Sequence, residues 1–308
     1  MNASIERAFP AQTSCGDQVL TLRDGRKLAF VELGDRAGSP CFFFHGVPGS
    51  RNCLPDDPSL REFGIRVIAL DRPGMGLSDP HHQRTLASWA EDVAQLADGL
   101  GLDTFHVAGA SGGGPYALAC GVHLAARVRS VTLISTATPP DIPGMAKGMA
   151  IGNRIGFFLA RRAPWLLGWS FRSYAKAADK MDRTYVEGMK KQLCAWDQKV
   201  LEEVSGSQDL SDLFLRDLRE AFRQGHQGVL ADFLLVARPW NLDFSALRAP
   251  VHLWHGEADT LVPVAPVRVM APNLPGCAAH FIPEAGHMLL ESEMVGRSIL
   301  QAIRDADD

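Results

Sequence analysis

One stretch decides the predicted fold, Val107-Ala108-Gly109-Ala110-Ser111-Gly112-Gly113-Gly114-Pro115. An apolar run leads into this stretch, and a segment rich in small residues follows it. The stretch therefore predicts a buried strand, a sharp turn and a helix. Ser111 lies at the turn, two residues after Gly109 and two residues before Gly113. A serine at the top of such a turn has strained backbone angles, and the residues two positions to either side press against each other. Glycine is therefore needed at both positions.

The hydroxyl of Ser111 would project from the carboxyl end of the sheet, and the N–H groups of the following helix would point back at it. The G-x-S-x-G pattern by itself is also typical of a flexible turn with a capping serine. Whether it marks a nucleophile depends on whether an acid and a base follow in the chain, each at the end of a strand.

The bulk composition indicates a globular protein. The chain has 308 residues, 46% hydrophobic and 21% charged, with a net charge of −4, so no overall basic field attracts nucleic acid. No run approaches the ~18 apolar residues of a membrane-spanning helix, and residues 1–10 lack the apolar segment of a signal peptide. Six cysteines without C-x-x-C spacing predict a reduced, cytoplasmic protein that holds no metal.

Apolar runs and helical spacing alternate along most of the chain and predict an α/β fold. After a loose lead-in at residues 1–17, strands are predicted at 19–23, 27–33, 41–44, 65–70, 105–109, 130–135, 251–256 and 279–282. Helices are predicted at 86–100, after Ser111, and at 288–306. Such alternation is typical of a mostly parallel, doubly wound sheet, in which reactive loops gather at the carboxyl ends of the strands.

A helical insertion interrupts this alternation. Strand-like runs disappear over residues 138–241 and return afterwards. We therefore expect a core formed by residues 1–137 and 242–308, with residues 138–241 forming a helical cap over the edge of the sheet.

Five motifs occur in order, each where a predicted strand ends or just after it. They are His45-Gly46, Asp71-Arg72-Pro73-Gly74-x-Gly76-x-Ser78, the Ser111 turn, His255-Gly256-Glu257-x-Asp259 and Gly286-His287. With its serine first, acid second and histidine last, the chain resembles the α/β-hydrolase family, in the branch of serine esterases and aminopeptidases. The resemblance covers nearly the whole chain and implies the α/β-hydrolase fold.

The resemblance assigns a role to each candidate site residue. Ser111 is the nucleophile, and His287 is the base that takes its proton and later protonates the leaving group. Asp259 would fix the tautomer of His287 and stabilise its charged form. The tetrahedral intermediate needs two N–H donors: Gly112 follows the nucleophile, and by resemblance the second donor is Val47. This chemistry requires no cofactor.

Other polar residues near these motifs are alternatives to the proposed acid or are expected to have structural roles. Glu257 is the local alternative to Asp259, and Asp141 is the nearest acid after the earlier strand, where some family members place it. His45 is expected to hydrogen-bond the loops beneath the proposed oxyanion site, and Asp71 and Arg72 are expected to brace neighbouring loops. Histidines 106, 252, 255 and 280 lie in strands and are expected to be core or surface residues.

The predicted activity is hydrolysis of a small-molecule carboxylic ester through an acyl-enzyme. Relatives in this family that open epoxides or displace halide carry aspartate at this turn, so the resemblance, with Ser111 in that place, argues against both activities. His45-Gly46-Val47-Pro48-Gly49 is close to the H-G-G-P-G of proline iminopeptidases, but Val47 replaces glycine and no tryptophan follows Ser111. A related aminopeptidase and a carbon–carbon bond hydrolase remain alternatives, and a non-catalytic binding protein is the alternative outside this class. The oligomeric state is left open.

The predicted cap is divided by charge. The segment from Lys147 to Lys191 contains ten basic and three acidic residues. The segment from Asp197 to Glu220 contains seven acidic and three basic residues. The basic part is also rich in large apolar residues: Met149, Ile151, Ile155, Phe157, Phe158, Leu159, Trp165, Leu166, Leu167, Trp169 and Phe171. The simpler expectation is an apolar face packed on the core with charges in water. The alternative is that this part recruits an amphiphilic acyl substrate or contacts an anionic membrane surface.

Overall fold

A computed structural model describes residues 15–205 and 209–307 of the chain. In these residues eight strands form one sheet in the order β1-β2-β4-β3-β5-β6-β7-β8. The pairs β1–β2 and β2–β4 are antiparallel, and every pair from β4–β3 to β7–β8 is parallel. The sheet is therefore mostly parallel, as the sequence predicted.

The strands are β1 (Cys15–Thr21), β2 (Lys27–Gly34), β3 (Ser39–Phe44), β4 (Ile65–Leu70), β5 (Phe105–Ala110), β6 (Val128–Ile134), β7 (Val251–Gly256) and β8 (Cys277–Ile282). The helices of the core are α1 (Pro58–Glu62), α2 (Leu86–Gly99), α3 (Gly114–His123), α10 (Val264–Met270) and α11 (Glu293–Asp305). The helices between β6 and β7 are α4 (Ile151–Arg162), α5 (Pro164–Ala178), α6 (Arg183–Lys190), α7 (Ala195–Ser205), α8 (Asp209–Ala221) and α9 (Gln227–Val236).

The strand that precedes the first motif shows why the sheet has helices on both faces. Phe42 and Phe44 of β3 point into one apolar cluster, which Trp89 of α2 also enters. Phe43 points into a second cluster on the other face, together with Ile299 of α11. A strand buried on both faces carries a continuous apolar run, as expected for a parallel sheet.

Two predicted boundaries differ from the observed ones by more than three residues. Residues 15–17 were placed in a loose lead-in, but β1 begins at Cys15 and pairs with β2; the rest of that lead-in, residues 1–14, lies outside the described residues. The last helix was predicted from residue 288, but α11 begins at Glu293. Residues 288–292 form turns and irregular backbone, and Ser292 has the extended backbone of an N-cap residue, so the helix begins after it.

The helices α4 to α9, here called the insertion helices, lie between β6 and β7 in the chain. Their inner side chains form two small apolar clusters of their own, one of which includes Met75 from the loop after β4. Among the described residues, no helix is both long and apolar enough to cross a membrane.

Candidate active site

The three proposed catalytic residues follow three strands of the parallel part of the sheet. Ser111 directly follows β5, Asp259 lies three residues after β7, and His287 lies five residues after β8. Because β5, β6, β7 and β8 are successive parallel neighbours, their carboxyl ends meet at one edge of the sheet. The fold thus brings together loops that are separated by more than 140 residues in the chain.

The turn at Ser111 has the predicted geometry. Ser111 has a φ of 52°, in the left-handed region, and opens a short 3₁₀ turn that leads into α3. A Cβ on Gly109 would lie 2.4 Å from the carbonyl oxygen of Gly113, and a Cβ on Gly113 would lie 2.0 Å from that of Phe44. Glycine at both positions is therefore a steric requirement of the turn.

Asp259 and His287 form a buried hydrogen-bonded pair. Nδ1 of His287 lies 2.7 Å from Oδ2 of Asp259. The other carboxylate oxygen, Oδ1, accepts the backbone N–H groups of Leu261 and Val262 at 2.8 and 2.9 Å. His255 lies behind the pair, with Nε2 3.5 Å from Oδ2 of Asp259. The carboxylate is thus held in one orientation, in which Oδ2 contacts the imidazole of His287.

The pKa values of the pair shift in the directions that an ion pair requires. Burial raises the pKa of Asp259, but the facing ring of His287 and its hydrogen bond outweigh burial and hold this pKa below its usual 3.8. Burial lowers the pKa of His287, but the charge of Asp259 and its hydrogen bond, with Asp197 and Glu291 nearby, hold this pKa above its usual 6.5. Each group thus favours the charged form of its partner.

The backbone of His287 is held from two sides. Its carbonyl oxygen accepts the hydroxyl of Ser135 at 2.8 Å, and its N–H donates to Asp197 of α7 at 3.0 Å. Asp197 also accepts the N–H of Met288, and a Cβ on Gly286 would lie within 2.5 Å of its carboxylate. An insertion helix therefore fixes the loop that carries the proposed base.

Two groups at this site keep free hydrogen-bonding capacity. No described residue forms a hydrogen bond with Nε2 of His287 or with the hydroxyl of Ser111. These are the two atoms between which a catalytic proton would move, and such contacts commonly tighten only when substrate is bound.

The loop after β3 places Val47 beside Gly112. A Cβ on Gly112 would lie 3.5 Å from the backbone nitrogen of Val47. Arg72 donates to the carbonyl oxygens of His45 and Gly46 at 2.6 and 2.8 Å. In a trans peptide the C=O and N–H groups point in opposite directions. The N–H of Val47 therefore points away from Arg72.

Arg72 is itself held by an insertion helix. Its Nε and Nη2 donate to Asp232 of α9 at 3.0 and 2.8 Å, and both side chains are fully buried. Tyr116 of α3 donates its hydroxyl to the same carboxylate. Burial, with Arg72 nearby, lowers the pKa of His45 to about 3, so its ring is neutral and contacts the Gly46 carbonyl through Nδ1. The expected bracing role of Arg72 is visible in these contacts.

Two more carboxylates of α8 bind the loop that follows Pro48. Asp217 accepts both the N–H and the hydroxyl of Ser50, at 2.8 and 2.6 Å. Glu220 pairs with Arg51 at 2.7 Å, and the same guanidinium pairs with buried Asp71 at 2.6 Å. We call Asp197, Asp217, Glu220 and Asp232 the docking carboxylates, since each binds a core loop at this edge of the sheet.

Sequence reasoning did not find the docking carboxylates. Asp232 did carry a signal, because it stands alone in the apolar run Val229–Val236, where a charge has no polar face and must be paired. Asp197, Asp217 and Glu220 carried no such signal. They lie in helices with many other acids, and only the three-dimensional contacts separate them from solvent-facing neighbours.

The other acids and histidines considered in the sequence analysis include four that take no part in the Asp259–His287 pair. Glu257 pairs with Arg268 at the surface, and Asp141 is exposed. His106 is buried against Ser130 and Asp307, and the ring of His280 stacks on Trp254. Among the described residues, no group of three or more His, Cys, Asp or Glu side chains is arranged to hold a metal ion.

Comparison with known proteins identifies the family. The family model described as the alpha/beta hydrolase family matches residues 41–297. The chain belongs to the α/β-hydrolase family. The match begins in β3 and ends in α11, so it includes the Ser111 turn, the insertion helices and both loops of the Asp259–His287 pair.

Two known proteins resemble the chain over most of its length, and a third resembles part of it. An uncharacterized hydrolase of Bacillus subtilis, YcgS, is 24% identical over 86% of this chain and 90% of its own. The structure of a thermophilic esterase from Thermogutta terrifontis, with malate bound, superposes with a TM-score of 0.63 at 25% identity, covering 94% of this chain and 97% of that one. A 3-oxoadipate enol-lactonase of Acinetobacter baylyi is 31% identical over 39% of this chain and 45% of its own.

Proposed function

We propose that this α/β hydrolase cleaves a small-molecule carboxylic ester through an acyl-enzyme, with Ser111, His287 and Asp259 as the catalytic triad. The observation that carries the proposal is the buried 2.7 Å pair of Asp259 and His287 on strand-end loops beside the strained turn of Ser111. Neither the stability of the fold nor the binding of a ligand requires a histidine that a buried carboxylate holds in one orientation. The similarity to an esterase and to an enol-lactonase, which opens a cyclic ester, supports an ester substrate.

The first half of the reaction would acylate the serine. Oγ of Ser111 attacks the ester carbonyl carbon while its proton passes to Nε2 of His287. The carbonyl oxygen becomes an oxyanion, which the N–H groups of Gly112 and Val47 stabilise. The intermediate collapses, the bond to the alcohol oxygen breaks, and the alcohol leaves with the proton from His287.

The second half would release the acid. Water attacks the acyl carbon of the ester on Ser111 and gives a proton to His287. The second oxyanion collapses, the bond to Oγ breaks, and Ser111 regains the proton from His287. Asp259 stays ionised throughout and stabilises the imidazolium in both halves.

In this proposal the cap of residues 138–241 covers the core of residues 1–137 and 242–308 and selects the acyl group. Asp197 contacts the loop of His287, and Asp232 contacts Arg72, which binds the carbonyl groups of His45 and Gly46. These contacts support the proposal, since they join the insertion to both sides of the proposed site.

The experiment is hydrolysis of p-nitrophenyl esters from acetate to laurate, with Ser111→Ala and the exposed serine variant Ser298→Ala as matched control. We expect wild type and Ser298→Ala to turn over alike, Ser111→Ala to lose about 10⁴–10⁶-fold in kcat, and the optimum chain length to report the size of the acyl site.

A serine-directed phosphonate separates the alternatives. Labelling of Ser111 without ester turnover would indicate a reactive triad that acts on another substrate. An amide or a carbon–carbon bond substrate would then replace the ester in the proposal. Absence of both turnover and labelling would contradict catalysis and favour a binding protein.

A further inference from the structure

The helices α4 and α5 expose an unusual amount of apolar surface. Six large side chains are between 36% and 76% exposed, and we call them the α4–α5 apolar surface: Ile151, Ile155, Phe158, Trp165, Leu166 and Trp169. On α4 they recur at spacings of four and three residues, and the two tryptophans of α5 are four residues apart. Each set therefore lies on one face of its helix.

Packing within the protein does not account for this surface. The opposite faces of the same helices are packed: the rings of Phe157 and Phe171 lie 5.2 and 5.7 Å from that of Phe233 in α9, and Leu167 is buried. These packed faces thus meet α9, another helix of the insertion, whereas the sequence predicted that they pack on the core. The outer set remains in contact with solvent.

The charge around this surface has one sign. From residue 142 to residue 178 the sequence contains no Asp or Glu and six basic residues, in a chain whose net charge is −4. The six are exposed: Lys147, Arg154, Arg161, Arg162, Arg172 and Lys176. None of them pairs with a carboxylate in the described part of the chain. Among the described residues, these cations are therefore not neutralised by ion pairs.

We propose that the α4–α5 apolar surface binds an anionic lipid membrane, lying in the plane of its interface. Tryptophan is the side chain that prefers the boundary between headgroups and acyl chains, and basic residues beside it are attracted to anionic headgroups. Helices of 12 and 15 residues are about 18 and 22 Å long, which is shorter than the ~30 Å hydrocarbon layer. They can lie on a bilayer but cannot cross it.

A second copy of the chain fits this surface poorly. In a symmetric dimer the same patch meets itself, so Arg154, Arg161 and Arg162 of one copy would approach those of the other with no acid between them. An anionic bilayer supplies the opposite charge over the whole surface.

The test is co-flotation with vesicles of phosphatidylcholine containing phosphatidylglycerol, at about 0.01 M salt, where charges act over about 30 Å. We expect wild type to float with these vesicles, to bind pure phosphatidylcholine weakly, and to be released at about 1 M salt. Tryptophan emission should shift to the blue on binding, because Trp165 and Trp169 enter lipid whereas Trp89, Trp240 and Trp254 are already buried.

Two double variants test whether the tryptophans and the arginines of this surface bind the membrane. Trp165→Ser with Trp169→Ser, and Arg161→Gln with Arg162→Gln, should each weaken partitioning about tenfold or more. Matched controls on other elements should bind as wild type: the exposed Met294→Ser for the apolar change, and Arg36→Gln with Arg248→Gln for the charge change. Circular dichroism verifies that each variant is folded.

Three results would overturn the proposal. Wild type could fail to bind phosphatidylglycerol vesicles at low salt, or both double variants could bind as well as their controls. Light scattering could instead give a dimer that the tryptophan variant converts to monomer, which would assign the surface to a second copy. None of these readouts uses ester hydrolysis, so they are independent of the proposed function.

Discussion

At the scale of single residues, the surroundings of His287 predict how the reaction depends on pH. The nearby carboxylates outweigh burial and hold its pKa above the usual 6.5. A base must be neutral to accept a proton, so kcat/KM should increase with pH and reach half its maximum above about 6.5. Initial rates on a p-nitrophenyl ester from pH 5 to 9 measure this midpoint, and a midpoint below 6.5 would contradict the geometry of the pair.

Asp259→Asn tests the acid itself. The amide removes the charge that raises the pKa of His287 and can hold the wrong tautomer. We therefore expect kcat to decrease about 10³–10⁴-fold and the midpoint of the pH profile to decrease. Glu257→Gln is the matched control, because Glu257 pairs with Arg268 at the surface, and it should behave as wild type. Near-normal turnover by Asp259→Asn would move the acid to another residue.

The candidate site could be proposed at this scale because each of its residues follows a recognisable strand within five residues. Ser111, Asp259 and His287 were proposed from strand ends, glycines and the order of the motifs, which are features of the sequence. The resemblance pointed to Asp259 and left Glu257 as the local alternative; in the structure Asp259 contacts the imidazole of His287, whereas Glu257 pairs with Arg268 at the surface.

At the scale of elements, Asp197 links helix α7 to the loop of His287. Its carboxylate accepts the N–H groups of both His287 and Met288. Asp197→Asn would place an amide donor against one of these N–H groups, and an unsatisfied N–H costs about 1–3 kcal/mol. We expect kcat to decrease about tenfold and the pH midpoint to decrease, because a charge that raises the pKa of His287 is lost.

The matched control for Asp197→Asn is Glu203→Gln, which changes an exposed carboxylate of the same helix that forms an exposed pair with Lys199. It should leave both kcat and the midpoint unchanged. A lower melting temperature for Asp197→Asn with an unchanged midpoint would mean that Asp197 acts on stability alone.

Element boundaries were less predictable than element types. The apolar periodicity near residue 288 continued into α11, so a helix was predicted there. The observed start at Glu293 follows the extended backbone of Ser292 at the N-cap position. The periodicity alone does not mark this boundary, because the apolar residues before it lie in turns and irregular backbone.

At the scale of the whole molecule, buried ion pairs join the insertion helices to the core. Asp232 and Arg72 are fully buried together, and removal of one partner from such a pair costs about 3–5 kcal/mol. We expect Asp232→Asn to lower the free energy of unfolding by about this amount in urea denaturation. It should also reduce turnover, because Arg72 orients the peptide of Val47.

Asp212→Asn is the control, since Asp212 forms an exposed pair with Arg183 in the same insertion, and exposed pairs contribute about 0–1 kcal/mol. Equal destabilisation by the two variants would show that the carbonyl groups of His45 and Gly46 satisfy Arg72 without Asp232.

The fold class was predictable at this scale because alternating buried runs specify a parallel sheet. The attachment of the insertion was not, because three of the four docking carboxylates look like surface acids in the sequence. Asp232 is the exception, as its apolar neighbours leave it no solvent-facing side.

The docking carboxylates also limit how this protein can be redesigned. Replacing residues 138–241 with the corresponding segment of another family member would be an obvious route to a new substrate range. Such a chimaera would keep Arg72 inside the core but would lose its counterion Asp232, and Arg51 would keep Asp71 but lose Glu220. The loops of His287 and Val47 would lose their supports in the same step. The insertion is therefore not an interchangeable module, and a graft needs acids at the four docking positions before its new lining can be tested.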